Sequence, residues 1–177
     1  DRRKPQMNIG TILIFDGPLD YEDVVALVES RIHTMPLYQQ KVVQPHSTIS
    51  EPMWVFDEDF YVENHIYKRT LKSPGSEAQF REIVAQIIGR KLDRNKPLWE
   101  LHVFSGLEND RSALLFKVHH CMVDGISAID LFTLVLDISP EMPIMDPPPI
   151  YDPPRPLEDL ELMQKAVSAG IPVFCAI

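Results

Sequence analysis

Two adjacent histidines and an aspartate four residues beyond the second are the residues of this chain best suited to chemistry. They lie in residues 119–125, which read HHCMVDG. An imidazole takes up a proton near neutral pH, so one histidine can act as a general base toward an alcohol or an amine. Asp124 can cap a helix or pair with an arginine, and Gly125 allows a tight turn that a side chain would block. The pattern H-H-x-x-x-D-G therefore favours one working histidine.

Other interpretations of the same residues are weaker. Adjacent histidines on a strand cannot easily bind one metal ion together with Asp124, and no further His or Cys lies at ligand spacing, so we expect no metal. Cys121 beside His120 could form a nucleophilic pair, but sequence neighbours rarely reach the geometry that this requires. We expect Cys121 to pack as a small apolar residue. The remaining alternative is that both histidines are structural and buried.

The segment lies where a strand gives way to a helix. The apolar run 113–118 predicts a buried strand, and residues 126–132 predict the start of a helix that continues to about residue 136. Because side chains alternate along a strand, His119 and His120 should point to opposite faces. One histidine can then face a substrate while the other supports the loop.

The rest of the chain alternates predicted strands and helices. A helix over 21–32 begins at Asp20, and a second opens at Ser76 and runs through Gly89. Strands are expected over 8–15, 100–104 and 112–119, with a polar hairpin turn at 106–111 between the last two. Residues 34–75 are less regular. Without a glycine-rich nucleotide turn, this order predicts an α/β layer domain with a mixed sheet.

Two further residue types carry expectations about burial. Trp99 stands just before a predicted strand, and we expect a buried anchor rather than a residue that faces a ligand. The run Asp57, Glu58 and Asp59 is expected to form a solvated turn or the start of a helix.

Composition excludes several classes of protein. A chain of 177 residues, 45% hydrophobic, can form one domain with a real core. The formal net charge of -9 argues against nucleic acid as a partner and provides no polybasic membrane anchor. Two cysteines are too few for a disulfide framework, so we expect a cytoplasmic setting. No apolar stretch reaches the roughly 18 residues of a membrane span.

The domain organisation follows from the prolines. Residues 1–139 should form the domain, and the eight prolines from 140 to 156 predict an extended linker over 140–157. Residues 158–177 have helical spacing and should begin a further element. Both ends look cut, so we expect a longer protein with a second half.

The surroundings of the histidine pair resemble a known family. Residues 97–107 (PLWELHVFSGL), 113–120 (ALLFKVHH) and 123–127 (VDGIS) are similar to the bacterial wax ester synthase/diacylglycerol acyltransferase family. That family shares H-H-x-x-x-D-G with chloramphenicol acetyltransferase and the condensation domains of peptide synthetases. The resemblance covers roughly residues 3–140. It implies an α/β two-layer sandwich with a mixed sheet, one chloramphenicol acetyltransferase-like half of a two-domain enzyme, and an active site in a tunnel between the halves.

The resemblance also implies roles for the residues of the pattern. His120 would be the general base, with His119 as a supporting residue. Asp124 would be structural and would pair with an arginine, for which Arg69 and Arg94 are candidates. Gly125 would provide space or turn geometry.

The implied reaction is transfer of a long-chain acyl group from acyl-CoA to a fatty alcohol or a diacylglycerol. Acyl-CoA is a co-substrate, and no cofactor is expected. The implied partners are the protein's own C-terminal half and, peripherally, the inner membrane or lipid droplets. Three alternatives remain: a related enzyme with another alcohol or amine as acceptor, a lipid-binding or assembly module without catalysis, and a metal-dependent hydrolase.

Overall fold

A mixed sheet and two helices form the centre of the molecule. The computed structural model describes residues 7–44, 52–123 and 135–136. The elements in chain order are β1 (Asn8–Asp16), α1 (Tyr21–Arg31), β2 (Gln40–Val43), β3 (Met53–Phe56), β4 (Ile66–Thr70), α2 (Glu77–Gly89), β5 (Trp99–Leu107) and β6 (Arg111–His119).

Several predicted features lie outside the described residues. These are Asp124, Gly125, the predicted helix from 126 as far as residue 134, the linker over 140–157 and the terminal segment 158–177. None of the helices within the described ranges is long and apolar enough to cross a membrane.

The four-stranded sheet has the order β1-β6-β5-β4. Its neighbours β1 and β6 run antiparallel, as do β6 and β5, whereas β5 and β4 run parallel. The sheet is therefore mixed, as predicted. At the turn between β5 and β6, Asn109 and Asp110 have φ angles of 62° and 57°. Asn and Asp tolerate this left-handed region better than most residues, which explains why the predicted hairpin turn forms here.

Both helices begin at the predicted caps. The Asp20 carboxylate accepts a hydrogen bond of 2.8 Å from the backbone N–H of Glu22. The Ser76 hydroxyl accepts from the backbone N–H of Gln79, and the Gln79 side chain accepts from the backbone N–H of Ser76 at 2.7 Å. This reciprocal capping box satisfies donors that the first turn of a helix leaves without partners.

Each helix covers one face of the sheet. The α1 face is the side on which valines of α1, and Ile32 directly after it, pack against alternate residues of β5 and β6, namely Trp99, Leu101, Val103, Leu114, Phe116 and Val118. The α2 face is the opposite side, on which Phe80 and Ile87 of α2 pack against Phe104, Leu107, Ala113 and Leu115. The alternation along each strand sends neighbouring residues to different cores.

A second, two-stranded hairpin lies beside the α1 face. Strands β2 and β3 pair antiparallel, and Val42 and Trp54 pack against the core of that face. The expectation that Asp57 is solvated is wrong. Asp57 is 8% exposed, and its carboxylate accepts a hydrogen bond of 2.7 Å from the Lys41 ammonium. The hairpin produces this ion pair because it brings β2 next to the residue that follows β3.

Candidate functional site

The histidine pair lies at the end of β6. The strand ends at His119, and His120 begins a 3-10 turn over His120–Met122. The strand stops before the second histidine, so the alternation of side chains along a strand does not set the direction of the His120 ring. Two backbone hydrogen bonds fix this end: His119 N–H donates to the carbonyl of Leu98 at 2.9 Å, and His120 N–H donates to that of Met7 at 2.7 Å.

His119 is half-buried and holds its own turn. Its Nδ1 accepts from the backbone N–H of Cys121 at 3.3 Å and lies 3.0 Å from the Cys121 sulfur. A backbone N–H only donates, so Nδ1 carries the lone pair and Nε2 carries the proton of the neutral ring. Burial lowers the pKa of His119, and the nearby charges of Arg94 and His120 lower it further. The ring is thus neutral near pH 7, with Nε2 as a donor.

His120 has a different environment. Its side chain is exposed, and its ring makes no hydrogen bond to any residue in the described ranges. Both ring nitrogens can therefore meet a substrate. The two residues that close the turn, Met122 and Val123, are buried in the core of the α1 face. The burial of these two residues holds the turn against the core, while the side chain of His120 is exposed to solvent.

A cleft of about 750 Å³ opens beside His119. It lies between the β2–β3 hairpin, the loop before β5 and the histidine segment. Its lining is mostly apolar and consists of Lys41, Val42, Val43, Gln44, Pro52, Met53, Trp54, Arg94, Asn95, Leu98, His119 and Cys121. This volume is typical of sites for small molecules. The arrangement places the imidazole of His119 at the wall of a cleft suited to a hydrocarbon chain, whereas His120 is not among the lining residues.

Cys121 does not behave as expected from the sequence. Its side chain is exposed rather than packed as a small apolar residue. Desolvation raises the pKa of the Cys121 thiol above its usual value, so the thiolate that a nucleophilic cysteine needs is disfavoured. Among the described residues, no group of three or more His, Cys, Asp or Glu side chains is arranged to hold a metal ion.

The two arginines considered as partners of Asp124 occupy different places. Arg69 lies on the α2 face, where its Nε donates to Nδ1 of His102 at 3.3 Å. Arg94 is exposed and lines the cleft. Sequence reasoning missed a third arginine, Arg31, which is 5% exposed and whose Nη1 donates to the carbonyl of Leu136 at 3.4 Å. The sequence contained a signal for this residue, because Arg31 follows the apolar residues of the predicted helix at helical spacing, on its apolar side.

The sheet, its helices and the histidine pair at a strand end define the fold class shared by lipid acyltransferases and peptide-synthetase condensation domains. The solved wax ester synthase/diacylglycerol acyltransferase from Marinobacter aquaeolei VT8 superposes with a TM-score of 0.62 at 29% identity, over 88% of this chain and 39% of that one. The first condensation domain of the calcium-dependent antibiotic synthetase superposes with a TM-score of 0.60 at 16% identity, over 73% of this chain and 31% of that one. This second likeness concerns the fold alone.

Sequence relatives narrow the class. The family model described as the wax ester synthase/diacylglycerol acyltransferase catalytic domain matches residues 1–173. A Mycobacterium tuberculosis protein named "Probable diacyglycerol O-acyltransferase tgs3" is 34% identical over 164 residues, which is 91% of this chain and 60% of that protein. A second protein of the same organism, named "Probable diacyglycerol O-acyltransferase tgs1", is 35% identical over 138 residues, which is 77% of this chain and 30% of that protein.

The chain belongs to the wax ester synthase/diacylglycerol acyltransferase family, which confirms the resemblance seen in the sequence. It spans 60% and 30% of the length of those two mycobacterial relatives.

Proposed function

We propose that the full-length protein transfers a long-chain acyl group from acyl-CoA to a fatty alcohol or a diacylglycerol, producing wax esters or triacylglycerol. Family membership supports the reaction class. The observation that carries the proposal is the mostly apolar cleft that has His119 at its wall, with His120 next in the chain at the start of the following turn. A long hydrocarbon chain bound in such a cleft would end close to the histidine segment, where acyl transfer between lipids requires a base.

In this proposal His120 is the general base. Its ring takes the proton of the acceptor hydroxyl while the hydroxyl oxygen attacks the thioester carbonyl. The tetrahedral intermediate then collapses, the C–S bond breaks, and the imidazolium returns its proton to the leaving CoA thiolate. Base catalysis of this kind contributes about 10²–10⁴-fold to the rate. The exposure of His120 and its free ring nitrogens support this role.

His119 supports the base rather than replacing it. Its Nδ1 lone pair is already occupied by the Cys121 N–H, and its Nε2 carries the proton. A neutral ring in this tautomer has no lone pair free for a substrate proton, so it stabilises the turn and offers a donor to the cleft.

Asp124 and Gly125 complete the proposed site as structural residues. The Asp124 carboxylate pairs with an arginine, and Gly125 gives room for the turn. Arg31 is the strongest candidate for the pairing, since Arg69 already donates to His102 on the α2 face and Arg94 lines the cleft. The α1 helix that carries Arg31 packs in the same core as Val123, the residue before Asp124.

The remaining proposals concern the larger protein. We assign residues 1–139 to the first acyltransferase half, 140–157 to the linker and 158–177 to the start of the next element. The partners are acyl-CoA, the lipid acceptor and the C-terminal half, with no further cofactor. A cytoplasmic enzyme with lipid substrates would associate peripherally with the inner membrane or lipid droplets.

The test is an assay of the full-length protein with labelled palmitoyl-CoA, offering hexadecanol and dioleoylglycerol separately. Wild type should form labelled ester, and His120→Ala should lower the rate by about 10²-fold or more, in line with the loss of a general base. His119→Gln is the matched control and should retain much more activity. Near-normal turnover by a folded His120→Ala variant contradicts the assigned base. No ester from folded wild type would direct attention to another acceptor, or to a lipid-binding module without catalysis.

A further inference from the structure

The charge of the cleft is opposite in sign to that of the chain. The chain has a formal net charge of -9. Among the described residues that line the cleft, however, the charged side chains are Lys41 and Arg94, with no carboxylate.

The two cations are not equivalent. Lys41 is neutralised by the buried carboxylate of Asp57 at 2.7 Å. Arg94 is exposed, and within the described residues it forms no ion pair. The neighbouring carboxylate, Asp93, is already used, since its Oδ1 accepts from the backbone and side-chain N–H groups of Asn95, each at 3.0 Å. Arg94 is therefore the cleft cation that can bind an anion.

The loop that carries Arg94 is held firmly in place. On its far side, the Lys96 ammonium donates to the carbonyl of Asn64 at 2.8 Å and to the hydroxyl of Tyr67 at 2.9 Å. Leu98 follows, with 4% of its surface exposed. The guanidinium is thus presented from a fixed backbone at the same wall as His119, whose pKa responds to the charge of Arg94.

A mostly apolar lining with one unpaired cation among the described residues favours a ligand that has both a hydrocarbon chain and an anionic group. Thioesters, fatty alcohols and diacylglycerols are neutral at their reacting groups, and the phosphates of CoA are separated from the thioester by the long pantetheine arm. None of these therefore explains an unpaired guanidinium beside the histidine. An unesterified fatty acid does, because it has the hydrocarbon chain of the acyl donor and a carboxylate in place of the thioester. Arginine binds a carboxylate through two parallel hydrogen bonds, which gives both strength and geometry.

We propose that this cleft binds a free long-chain fatty acid, with the chain along the apolar wall of the β2–β3 hairpin and the carboxylate on Arg94. The fatty acid then competes with the acyl donor for the cleft. Because hydrolysis of acyl-CoA releases this fatty acid, its accumulation would slow ester synthesis. Binding is independent of the reaction, whereas the competition rests on the proposed function.

The first experiment measures binding directly. Equilibrium dialysis of the full-length protein with labelled palmitate, below its micelle concentration, should give saturable binding. Arg94→Gln should weaken it by about tenfold or more, the loss expected for a charge-assisted hydrogen bond. Lys91→Gln, a change of an exposed cation outside the cleft, is the matched control and should bind like wild type. Palmitamide, which has no charge, should bind wild type and Arg94→Gln alike.

Two results of this experiment overturn the proposal: no saturable binding of palmitate to wild type, or equal affinity of wild type and Arg94→Gln. Circular dichroism checks that the variant is folded, which its exposed position leads us to expect.

The second experiment measures inhibition. Palmitate should inhibit ester synthesis competitively with palmitoyl-CoA, and Arg94→Gln should raise the inhibition constant by about the same tenfold factor. Inhibition that is not competitive contradicts a site shared with the donor. If the wild type forms no ester, the proposed function fails, and the dialysis result still decides whether the cleft binds a fatty acid.

Discussion

The two faces of the sheet stabilise the same pair of strands in opposite ways. On the α1 face, the Trp99 ring is fully buried and stacks against His65 at 4.5 Å and against Phe116 at 5.8 Å between ring centroids. Its indole N–H donates to the carbonyl of Tyr38 at 2.8 Å. Aromatic packing with a satisfied polar atom stabilises this side.

On the α2 face, charged groups are buried between the same strands. Lys117 is 1% exposed, and its ammonium lies 3.4 Å from Oε2 of Glu100, the residue directly opposite on β5. His102 Nδ1 accepts from Arg69, so its Nε2 carries the proton and donates to Oε2 of Glu100 at 3.1 Å. Burial tends to raise the pKa of Glu100, but the groups of His102 and Lys117 outweigh it and lower that pKa overall.

The difference teaches what each face contributes to the site. Packing of Trp99 fixes the start of β5, and the carbonyl of the preceding Leu98 accepts from His119. The ion pair fixes the register of β5 against β6, since a shift by one residue would move Lys117 into the aromatic core. The α1 face therefore holds the start of β5 by packing, and the α2 face specifies one alignment of the strand that ends at the histidines.

The largest expected effect is on the α1 face. Trp99→Ala should lower the free energy of unfolding by about 3–5 kcal/mol, because it removes a buried ring and leaves a cavity. Trp99→Phe keeps a ring but loses the hydrogen bond to Tyr38, so it should cost less. Urea unfolding of the full-length protein, followed by far-UV circular dichroism, measures both. Equal losses for the two variants would contradict the primary role of ring packing.

A smaller effect is expected on the α2 face. Lys117→Met leaves the Glu100 carboxylate without its ammonium partner, and should cost about 2–3 kcal/mol, less than a fully buried pair because Glu100 retains some contact with water. The double variant Glu100→Gln/Lys117→Met should recover part of the loss. Additive losses in this double-mutant cycle would show that the two charges do not interact.

Many features of the sheet and its helices could be predicted from the sequence. The caps at Asp20 and Ser76, the hairpin turn before β6 and the burial of Trp99 are confirmed. Each depends on local chemistry: a side chain that accepts from a nearby backbone N–H, residues that tolerate positive φ, or an apolar ring beside a strand. Local patterns of this kind are visible in a single sequence.

The cleft was not predictable, because it is made by contacts between distant segments. The four-residue strands β2 and β3 are too short to show a period, and the ion pair of Lys41 with Asp57 exists only once they pair. The position of Arg94 beside His119 depends on how the loop before β5 folds back toward the end of β6. Spacing along the chain shows neither contact.

The smallest effect separates the faces by their response to pH. His65 is 1% exposed, and burial lowers the pKa of its ring to about 4. The charge of Lys96 also lowers this pKa, whereas the hydrogen bond to the Trp99 carbonyl raises it. In the unfolded chain this pKa is about 6.5, so between these values the unfolded state binds a proton that the native state does not. The stabilising contribution is complete above pH 6.5 and is lost as the pH falls toward 4.

The expected loss from His65 between pH 7 and pH 5 is about 2 kcal/mol. His65→Phe keeps a stacking ring but loses the hydrogen bond to the Trp99 carbonyl, so it should be less stable at pH 7. Because phenylalanine cannot titrate, the variant should lose correspondingly less stability on acidification. Denaturant midpoints of the full-length wild type and variant at several pH values give the difference. Whatever slope remains in the variant includes the α2 face, where burial also lowers the pKa of His102. Parallel curves for the two proteins would mean that His65 does not couple folding to pH, and that the acid sensitivity arises elsewhere, including the charged cluster of the α2 face.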